Sequence, residues 1–256
     1  MSIIEYGFEG APSGCSSTPK RRTVVTIGSF DGVHCGHRVL LERLKAMAHR
    51  LDAESVVVTF DPHPRIAMGR AEGMQLLTTI EERARLIADA GIDRMVVARF
   101  DEAFRSQPYE QFVRESLIGS LGMVGMIVGY NHRLGRGSEG NFNTLQPLAA
   151  ECGFELECVA QHTDDGGKIS STIVRDTIAK GDMTRARELL GAGYMLSGVM
   201  NNGRLRVADD HKMLPPSGCY MCDIECDNTT ICAEVVVEGR IVTASVSLDG
   251  LVAITF

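Results

Sequence analysis

The first two thirds of the chain alternate between short apolar runs and stretches in which apolar residues return every three or four positions. The apolar runs predict buried strands over 23–27, 55–60, 94–100, 124–128 and 154–160. The periodic stretches predict helices over 39–47, 79–91, 108–118, 144–152, 170–180 and 183–190. Because strands alternate with helices, this pattern predicts a Rossmann-like α/β domain, with a parallel sheet covered by helices on both faces.

The pattern changes near Tyr194. From there short β-like runs are separated by turn residues, as in Asn201-Asn202-Gly203, and no helical period is present. Such a tail predicts a small antiparallel barrel or meander. The chain therefore divides into an N-terminal segment at 1–22, with a flexible loop at 10–19, an α/β domain at 23–193 and a C-terminal β domain at 194–256.

Charge and hydropathy exclude several classes of protein. The 256 residues carry a formal net charge of −7, which argues against a broad surface for nucleic acid or anionic membranes. No apolar run approaches the roughly 20 residues of a membrane span. Residues 1–20 lack the basic start and apolar core of a secretory signal. We expect a cytoplasmic protein with no nucleic-acid or membrane partner; its oligomeric state stays open.

Four of the eight cysteines cluster in the predicted β domain, at Cys219, Cys222, Cys226 and Cys232. The C-x-x-C spacing suggests a zinc site. The alternative is a set of small core residues, which we favour because Cys219 and Cys222 would point to opposite faces of a strand. The metal ligands are left open.

A glycine-rich turn links the first predicted strand to the first helix, with the sequence Gly-Ser-Phe-Asp-Gly-Val-His-Cys-Gly-His over 28–37. Unpaired amides at a helix start favour anions, phosphate above all. Gly28, Gly32 and Gly36 allow the main chain to approach a ligand closely. His34 and His37 lie three residues apart and can donate hydrogen bonds to phosphate oxygens.

A second candidate anion site lies at 168–175, where Lys-Ile-Ser-Ser-Thr-Ile-Val-Arg opens a predicted helix. Ser and Thr at a helix start add hydroxyl groups to the free amides. Arg175 lies one turn further along and could reach the same phosphates. Alone, this segment is typical of a helix N-cap with a surface arginine; beside the H-x-G-H segment it favours a phosphate site.

The H-x-G-H segment resembles the signature of the adenylyl- and cytidylyltransferase superfamily. The longer G-x-F-D-G-V-H resembles the FMN adenylyltransferase module of bacterial FAD synthetases, which is often fused to riboflavin kinase. Residues 169–175 resemble the I-S-S-T-x-I-R motif of the same superfamily. Phe-Asp-Pro-His-Pro at 60–64, Val-Gly-Tyr-Asn-His-Arg-Leu-Gly at 128–135 and the Gly-Asp linker helix at 181–191 resemble further segments of that module.

This resemblance implies transfer of AMP from ATP to FMN, giving FAD and pyrophosphate, with Mg²⁺ on the triphosphate. The residues implied to bind ATP are Gly28, Phe30, Asp31, Gly32, His34, Gly36, His37, Ser170, Ser171, Thr172 and Arg175. The residues implied to bind flavin are Pro62, His63, Pro64, Asn131 and Arg133. The groups implied to act in catalysis are His34, His37, Asn131 and Arg175. The implied partners are ATP and FMN alone.

The chain departs from the family in two places. His132 and Leu134 stand where the V-G-x-[DN]-F-x-F-G motif has phenylalanine. The tail keeps a G-x-V-x-x-G-like turn near Gly203, but no P-T-A-N follows, and the chain stops before the region of the kinase base. We therefore expect a truncated, degenerate kinase module without riboflavin kinase activity, and a transferase that survives removal of residues from Leu196 onward.

Two other functions stay open from sequence. One is adenylyl or cytidylyl transfer to another phosphate, such as phosphopantetheine. The other is a catalytically weak paralogue that binds flavin or nucleotide.

Overall fold

The computed structural model describes residues 4–6, 21–69, 72–164, 167–227 and 229–256. The chain divides into two compact units that do not follow chain order. Unit 1 consists of Met1–Phe30, Gly36–Glu72 and Ala84–His162. Unit 2 consists of Asp31–Cys35, Gly73–Arg83 and Thr163–Phe256. The predicted loop at 10–19 lies outside the described residues.

Within the described residues, unit 1 holds a six-stranded parallel sheet in the order β1-β4-β3-β2-β5-β6. Its strands are β1 (Ile4–Tyr6), β2 (Thr23–Ile27), β3 (Glu54–Asp61), β4 (Arg94–Arg99), β5 (Met123–Gly129) and β6 (Glu155–Val159). The predicted α/β sheet is confirmed. The addition is β1, a short strand that the sequence pattern did not predict.

Both faces of this sheet are covered, which is why its strands read as continuous apolar runs. Val24 and Val25 point to opposite faces, and both are fully buried. Val25 belongs to a core cluster that includes Leu117. On the other face an ideal Cβ at Gly125 would lie 2.9 Å from the sulfur of Met47, so the first helix closes onto the sheet there.

The helices follow the predicted periodicity closely. They are α1 (Cys35–Arg50), α2 (Pro64–Ala67), α3 (Ile80–Asp89), α4 (Glu102–Ser106), α5 (Tyr109–Gln111), α6 (Phe142–Cys152), α7 (Ser171–Ala179) and α8 (Met183–Leu190), with a π-helix at Phe112–Ser120 and a 3-10 helix at Arg136–Ser138. The stretch predicted as one α-helix from Pro108 begins as α5 and continues as the π-helix. No described helix is long and apolar enough to cross a membrane.

Unit 2 contains a closed antiparallel barrel, as the turn-rich tail predicts. Its order is β10-β13-β12-β11-β14-β9, and β9 pairs with β10 to close it. The strands are β9 (Met195–Asn201), β10 (Arg204–Val207), β11 (Gly218–Cys226), β12 (Thr229–Glu238), β13 (Ile241–Ala244) and β14 (Gly250–Thr255). A separate short hairpin joins β7 (Thr163–Asp164) to β8 (Gly167–Lys168).

The four clustered cysteines lie on both faces of the barrel wall. Cys222 is buried among the apolar residues of the core, and Cys226 packs partly against it. Cys219 and Cys232 are exposed, so the core interpretation is wrong for these two. Since Cys219 and Cys222 face opposite sides of β11, the C-x-x-C pair cannot close on one ion. Among the described residues, no group of three or more metal-binding side chains is present.

Replacing Gly198 with alanine should destabilise the barrel. An ideal Cβ at this position would lie 2.2 Å from the carbonyl oxygen of Arg206 on the neighbouring strand. The backbone must shift to admit it, and such overpacking typically reduces stability by about 1–3 kcal/mol. Urea unfolding of the full chain measures this change.

Gly218→Ala is the matched control, because its ideal Cβ would make an ordinary contact of 3.5 Å with the ring of Tyr220. We expect it to change the free energy of unfolding by about 0.5 kcal/mol or less. Equal effects from the two alanines would mean that the strands carrying Gly198 and Arg206 do not approach as described.

Candidate functional site

The glycine-rich turn after β2 has an unusual backbone. Phe30, Gly32 and Val33 have φ values of 47°, 87° and 43°. A left-handed conformation is readily adopted by glycine, but it costs a residue with a Cβ roughly 1–2 kcal/mol. Two such residues within four positions need strong tertiary support, and strained backbone of this kind clusters at functional sites.

The glycines of this turn are needed by the protein itself as well as by any ligand. An ideal Cβ at Gly32 would lie 2.7 Å from Cδ1 of Leu77, and the Gly32 amide donates to Oγ1 of Thr78 over 3.1 Å. An ideal Cβ at Gly28 would lie 3.1 Å from the ring of Phe30. Packing within the protein therefore already requires glycine at positions 28 and 32, whether or not a ligand approaches the turn.

In unit 1, the turn brings Phe30 and His37 together. Their ring centroids lie 5.0 Å apart at an angle of 51°. Phe30 is buried, and His37 is half-buried in the first turn of α1, beside Gly36. The packing of Phe30 therefore limits the orientation of the His37 imidazole.

In unit 2, Asp31 is the centre of a polar cluster. Its carboxylate is fully buried and accepts hydrogen bonds from the backbone amide of Thr78 at 2.9 Å and from its hydroxyl at 3.2 Å. The other carboxylate oxygen forms an ion pair with Nη2 of Arg175. Arg175 also donates from Nε to the carbonyl oxygen of Gln75 over 2.7 Å.

The same cluster joins the two predicted phosphate segments. Oγ of Ser171 donates to the carbonyl oxygen of Asp31 over 2.8 Å. The N-terminus of α7, with Ser171 and Arg175, is thus held against residues of the glycine-rich turn. Asp31 and Arg175 form a charged pair inside unit 2, a role that the sequence did not predict for either residue.

The start of α7 keeps one hydroxyl group outside this network. Ser170 is the N-cap, and its side chain accepts from the Ile173 amide at 3.4 Å. Thr172 is exposed, and its hydroxyl has no hydrogen-bond partner among the described residues. Free helix amides, the Thr172 hydroxyl and the positive end of α7 together make an environment that favours an anion.

His34 also belongs to unit 2 and is 6% exposed. Burial lowers the pKa of its imidazole from 6.5 to about 4. Asp31 opposes this shift and the Arg175 guanidinium adds to it, both by smaller amounts. His34 is therefore neutral at pH 7 and presents one N–H donor and one nitrogen acceptor.

The predicted flavin residues lie at the carboxyl ends of strands in unit 1. His63 is buried and caps α2, where its Nδ1 accepts from the Arg65 amide over 3.2 Å. Pro62 is exposed, and Pro64 is the first residue of α2. This end of a parallel sheet is where ligands commonly bind.

Asn131 and Arg133 follow β5 and are exposed. Between them, the His132 ring lies beside the backbone of Ile27 at the end of β2. Its Nε2 atom is buried with no hydrogen-bond partner among the described residues. Burial, aided by the nearby charge of Arg133, lowers the His132 pKa from 6.5 to about 4. Leu134 is buried in the unit 1 core.

Several residues of the unit 2 cluster were missed by the sequence analysis. Gln75 and Thr78 supply the acceptor for Arg175 and the donors for Asp31. No motif marks them, because they contact the cluster through main-chain groups and one small hydroxyl. Thr79 and Glu82 form a capping box at the start of α3, with bonds of 3.0 and 3.2 Å. The Glu82 carboxylate also forms an ion pair with Lys212 that no local pattern could show.

Replacing His132 with phenylalanine should reduce the acid sensitivity of the fold. Between pH 6.5 and pH 4 the unfolded chain binds a proton at His132 that the folded chain does not, so stability falls as the pH falls through this window. At pH 5 the loss amounts to roughly 2 kcal/mol. Urea unfolding at pH 7 and pH 5 should show a decrease in free energy that is smaller by roughly this amount in the variant.

His49→Phe provides the control, because His49 is an exposed histidine in the last turn of α1. The interpretation fails where His132→Phe loses as much stability between the two pH values as the unmodified chain does.

Comparisons with known proteins agree with the resemblance. A profile of the FAD synthetase family matches residues 16–173. The bifunctional riboflavin kinase/FMN adenylyltransferase of Escherichia coli K12 is 34% identical over 188 residues, covering 73% of this chain and 60% of the relative. A putative bifunctional riboflavin kinase/FMN adenylyltransferase of Geobacillus thermodenitrificans is 37% identical over 169 residues, covering 66% of this chain and 89% of the relative.

Among solved structures, one titled as a macrolide-efflux protein from Streptococcus pneumoniae has a TM-score of 0.81 and 22% identity, covering 99% of this chain and 89% of that one. At this identity the likeness concerns the fold alone. The chain spans about three fifths of the length of the E. coli relative. The family match contains the glycine-rich turn at 28–37 and extends into α7 at residue 173, so the chain belongs to the FAD synthetase family.

Proposed function

We propose that this protein transfers AMP from ATP to FMN. An oxygen of the FMN phosphate attacks the α-phosphorus of ATP, the bond from that phosphorus to the bridging oxygen breaks, and pyrophosphate leaves. The products are FAD and pyrophosphate, and no protein nucleophile takes part. The observation that carries the proposal is the unit 2 cluster, in which Asp31, Ser171 and Arg175 of two family motifs are joined by direct hydrogen bonds.

Catalysis of this kind depends on positioning and on stabilising negative charge. His37 would donate to the α-phosphate, where charge grows in the transition state. His34, neutral at pH 7, would donate from a single N–H without adding a positive charge. The family resemblance implies that the turn residues Gly28, Phe30, Asp31 and Gly32 shape the ATP cleft.

The β- and γ-phosphates would lie at the start of α7. Ser170 and Ser171 shape this helix start, while the exposed Thr172 hydroxyl and the free amides supply donors. Arg175 uses Nε and Nη2 within the protein, so Nη1 is the nitrogen left for phosphate. Its contribution would be a fixed positive charge in a set orientation.

Mg²⁺ would arrive as part of the MgATP substrate. The carboxylate of Asp31 is the acidic group nearest in sequence to the histidines, but it is already bound to Thr78 and Arg175. Among the described residues no cluster of three or more metal-binding side chains is present. The ion is therefore expected to be held mainly by the phosphates.

FMN would bind at the carboxyl ends of β3 and β5. Pro62, His63 and Pro64 form a rigid exit from β3, and the exposed Asn131 and Arg133 follow β5. Arg133 offers a cation for the FMN phosphate, and Asn131 offers both a donor and an acceptor. His132 gives the β5 side a polar atom where the family has an apolar ring.

Riboflavin phosphorylation is not part of the proposed activity. A kinase must cradle the ATP phosphates and their metal, and the family segment for this, P-T-A-N, does not follow Gly203. The barrel interior is filled by side chains such as Leu196, Met200, Ile224 and Val235, all fully buried.

Replacing His37 with alanine should abolish most FAD formation. The variant loses a donor to charge that develops in the transition state, which typically lowers kcat by about 100- to 1000-fold. The measurement is FAD produced from FMN and MgATP, separated by chromatography, with His49→Ala as an exposed histidine control on the same helix.

Three results would count against the proposal. A His37→Ala enzyme with normal kcat removes the H-x-G-H assignment. FMN binding without any FAD in the unmodified protein favours a flavin-binding paralogue. AMP transfer to phosphopantetheine but not to FMN favours the related transferase.

Riboflavin given to the full chain with MgATP should yield no FMN above a protein-free blank. The same preparation must make FAD from FMN, which shows that the protein and the ATP are competent. Enzyme-dependent FMN would reveal a kinase site in this chain.

A further inference from the structure

One peptide group in unit 2 lies between two buried ion pairs. It joins Leu77 to Thr78. Its carbonyl oxygen accepts a hydrogen bond from Nζ of Lys212, and its amide donates to the carboxylate of Asp31 over 2.9 Å. A cation therefore meets the negative end of the peptide dipole, and an anion meets the positive end.

On the Asp31 side, this peptide group leads to Arg175. The carboxylate that accepts from Thr78 also forms the ion pair with the guanidinium, and the carbonyl oxygen of Gln75 binds the same guanidinium through Nε. Two main-chain groups of residues 75–78 thus fix both the position and the rotation of Arg175.

On the Lys212 side, the barrel module supplies the anchor. Lys212 and Glu82 both have 0% exposed side chains, and their charged atoms lie 2.6 Å apart. The ammonium also donates to the carbonyl oxygens of Leu77 and Met195, so its three N–H groups have three acceptors. The ring of Tyr194 lies 4.3 Å from Nζ.

Further bonds tie the same segment to the tail of the chain. Leu76 exchanges backbone hydrogen bonds with His211 and Met213, at 2.7 and 2.8 Å. The second oxygen of Glu82 accepts from the Ser197 amide at 2.7 Å and its hydroxyl at 3.0 Å. Residues 75–82, which we call the strap, are thereby fixed to the residues around Lys212.

We propose that Lys212 is a positioning residue for Arg175, acting through the Leu77–Thr78 peptide group. This inference rests on the proposed function, since it concerns the orientation of the arginine assigned to the ATP phosphates. A trans peptide group is planar, so holding its carbonyl oxygen also fixes the direction of its amide. Hydrogen bonds to charged groups are stronger than neutral ones, and bonds in a chain polarise one another.

A purely structural role for Lys212 would give a different result. Loss of a buried partner lowers stability, but the molecules that remain folded would keep their affinity for both substrates. A positioning role changes the affinity for ATP alone, because Arg175 is the group that the strap orients through Gln75 and Asp31.

Lys212→Met is the direct test, on the full chain. We expect the KM for ATP to rise by about tenfold, the effect of losing one charge-assisted hydrogen bond, with the KM for FMN unchanged. Hydrogen exchange should show weaker protection of residues 75–82. Ile224→Ala is the control, because it truncates a fully buried side chain of the barrel core and removes none of the hydrogen bonds or ion pairs that hold the strap.

A second variant guards against misfolding, since Lys212→Met leaves the Glu82 carboxylate buried without its counter-ion. Glu82→Gln combined with Lys212→Met removes both charges and still leaves the Leu77 carbonyl without its cation. The raised KM for ATP and the loss of strap protection should persist in this folded double variant.

The inference is overturned where the folded double variant has the ATP KM and the strap protection of the unmodified chain. It is also overturned where Ile224→Ala raises the ATP KM as much, because the effect is then general destabilisation. Failure of the proposed function would look different: the unmodified chain would make no FAD, and isothermal titration with ATP would show no binding. In that case loss of strap protection in the double variant still decides whether Lys212 holds Thr78.

Discussion

The buried Leu77–Thr78 peptide group is the constraint on which the rest of unit 2 depends. A buried peptide group needs one acceptor for its N–H and one donor for its carbonyl oxygen, and neutral partners are enough. Here the acceptor is the Asp31 carboxylate and the donor is the Lys212 ammonium, so each charge is neutralised by a further partner, Arg175 or Glu82. Removing Arg175, Glu82 or Lys212 leaves an unpaired buried charge, which costs far more than an ordinary hydrogen bond.

Local rules explain why so much of the secondary structure could be predicted. Strand β2 and helix α8 have the predicted bounds, because apolar period and helix capping act over a few neighbouring residues. The apolar spacing over 112–118 predicts an α-helix where the structure has a π-helix, because spacing does not report which carbonyl oxygen each amide bonds to. Strand β1 was missed because three residues carry too short a pattern, and its pairing with β4 is a tertiary contact.

The sequence motifs predict which residues form the candidate site, but they do not predict the residues that bind them, such as Gln75 and Thr78. Short segments predict His34, His37, Ser171 and Arg175 as site residues, because a glycine-rich turn with two histidines and a hydroxyl-rich helix start occur in the same chain. The ion pair of Arg175 with Asp31 spans 144 positions, and no spacing rule reaches that far. The low pKa of His34 is caused mainly by burial of its imidazole. A sequence pattern predicts which face of a helix or strand is buried, but not how deeply one side chain in a turn lies.

The contacts also change the role expected for the β domain. Sequence alone suggests that residues from Leu196 onward are dispensable, because they lack the kinase motif. Yet that stretch contributes Ser197 and Lys212 to the bonds that hold Glu82 and the strap. A chain without it would keep the Glu82 carboxylate with only the Thr79 amide as a partner, and the Leu77 carbonyl with none. Lack of the kinase motif therefore does not make Ser197 and Lys212 dispensable, because both bind the buried Glu82 carboxylate that holds the strap.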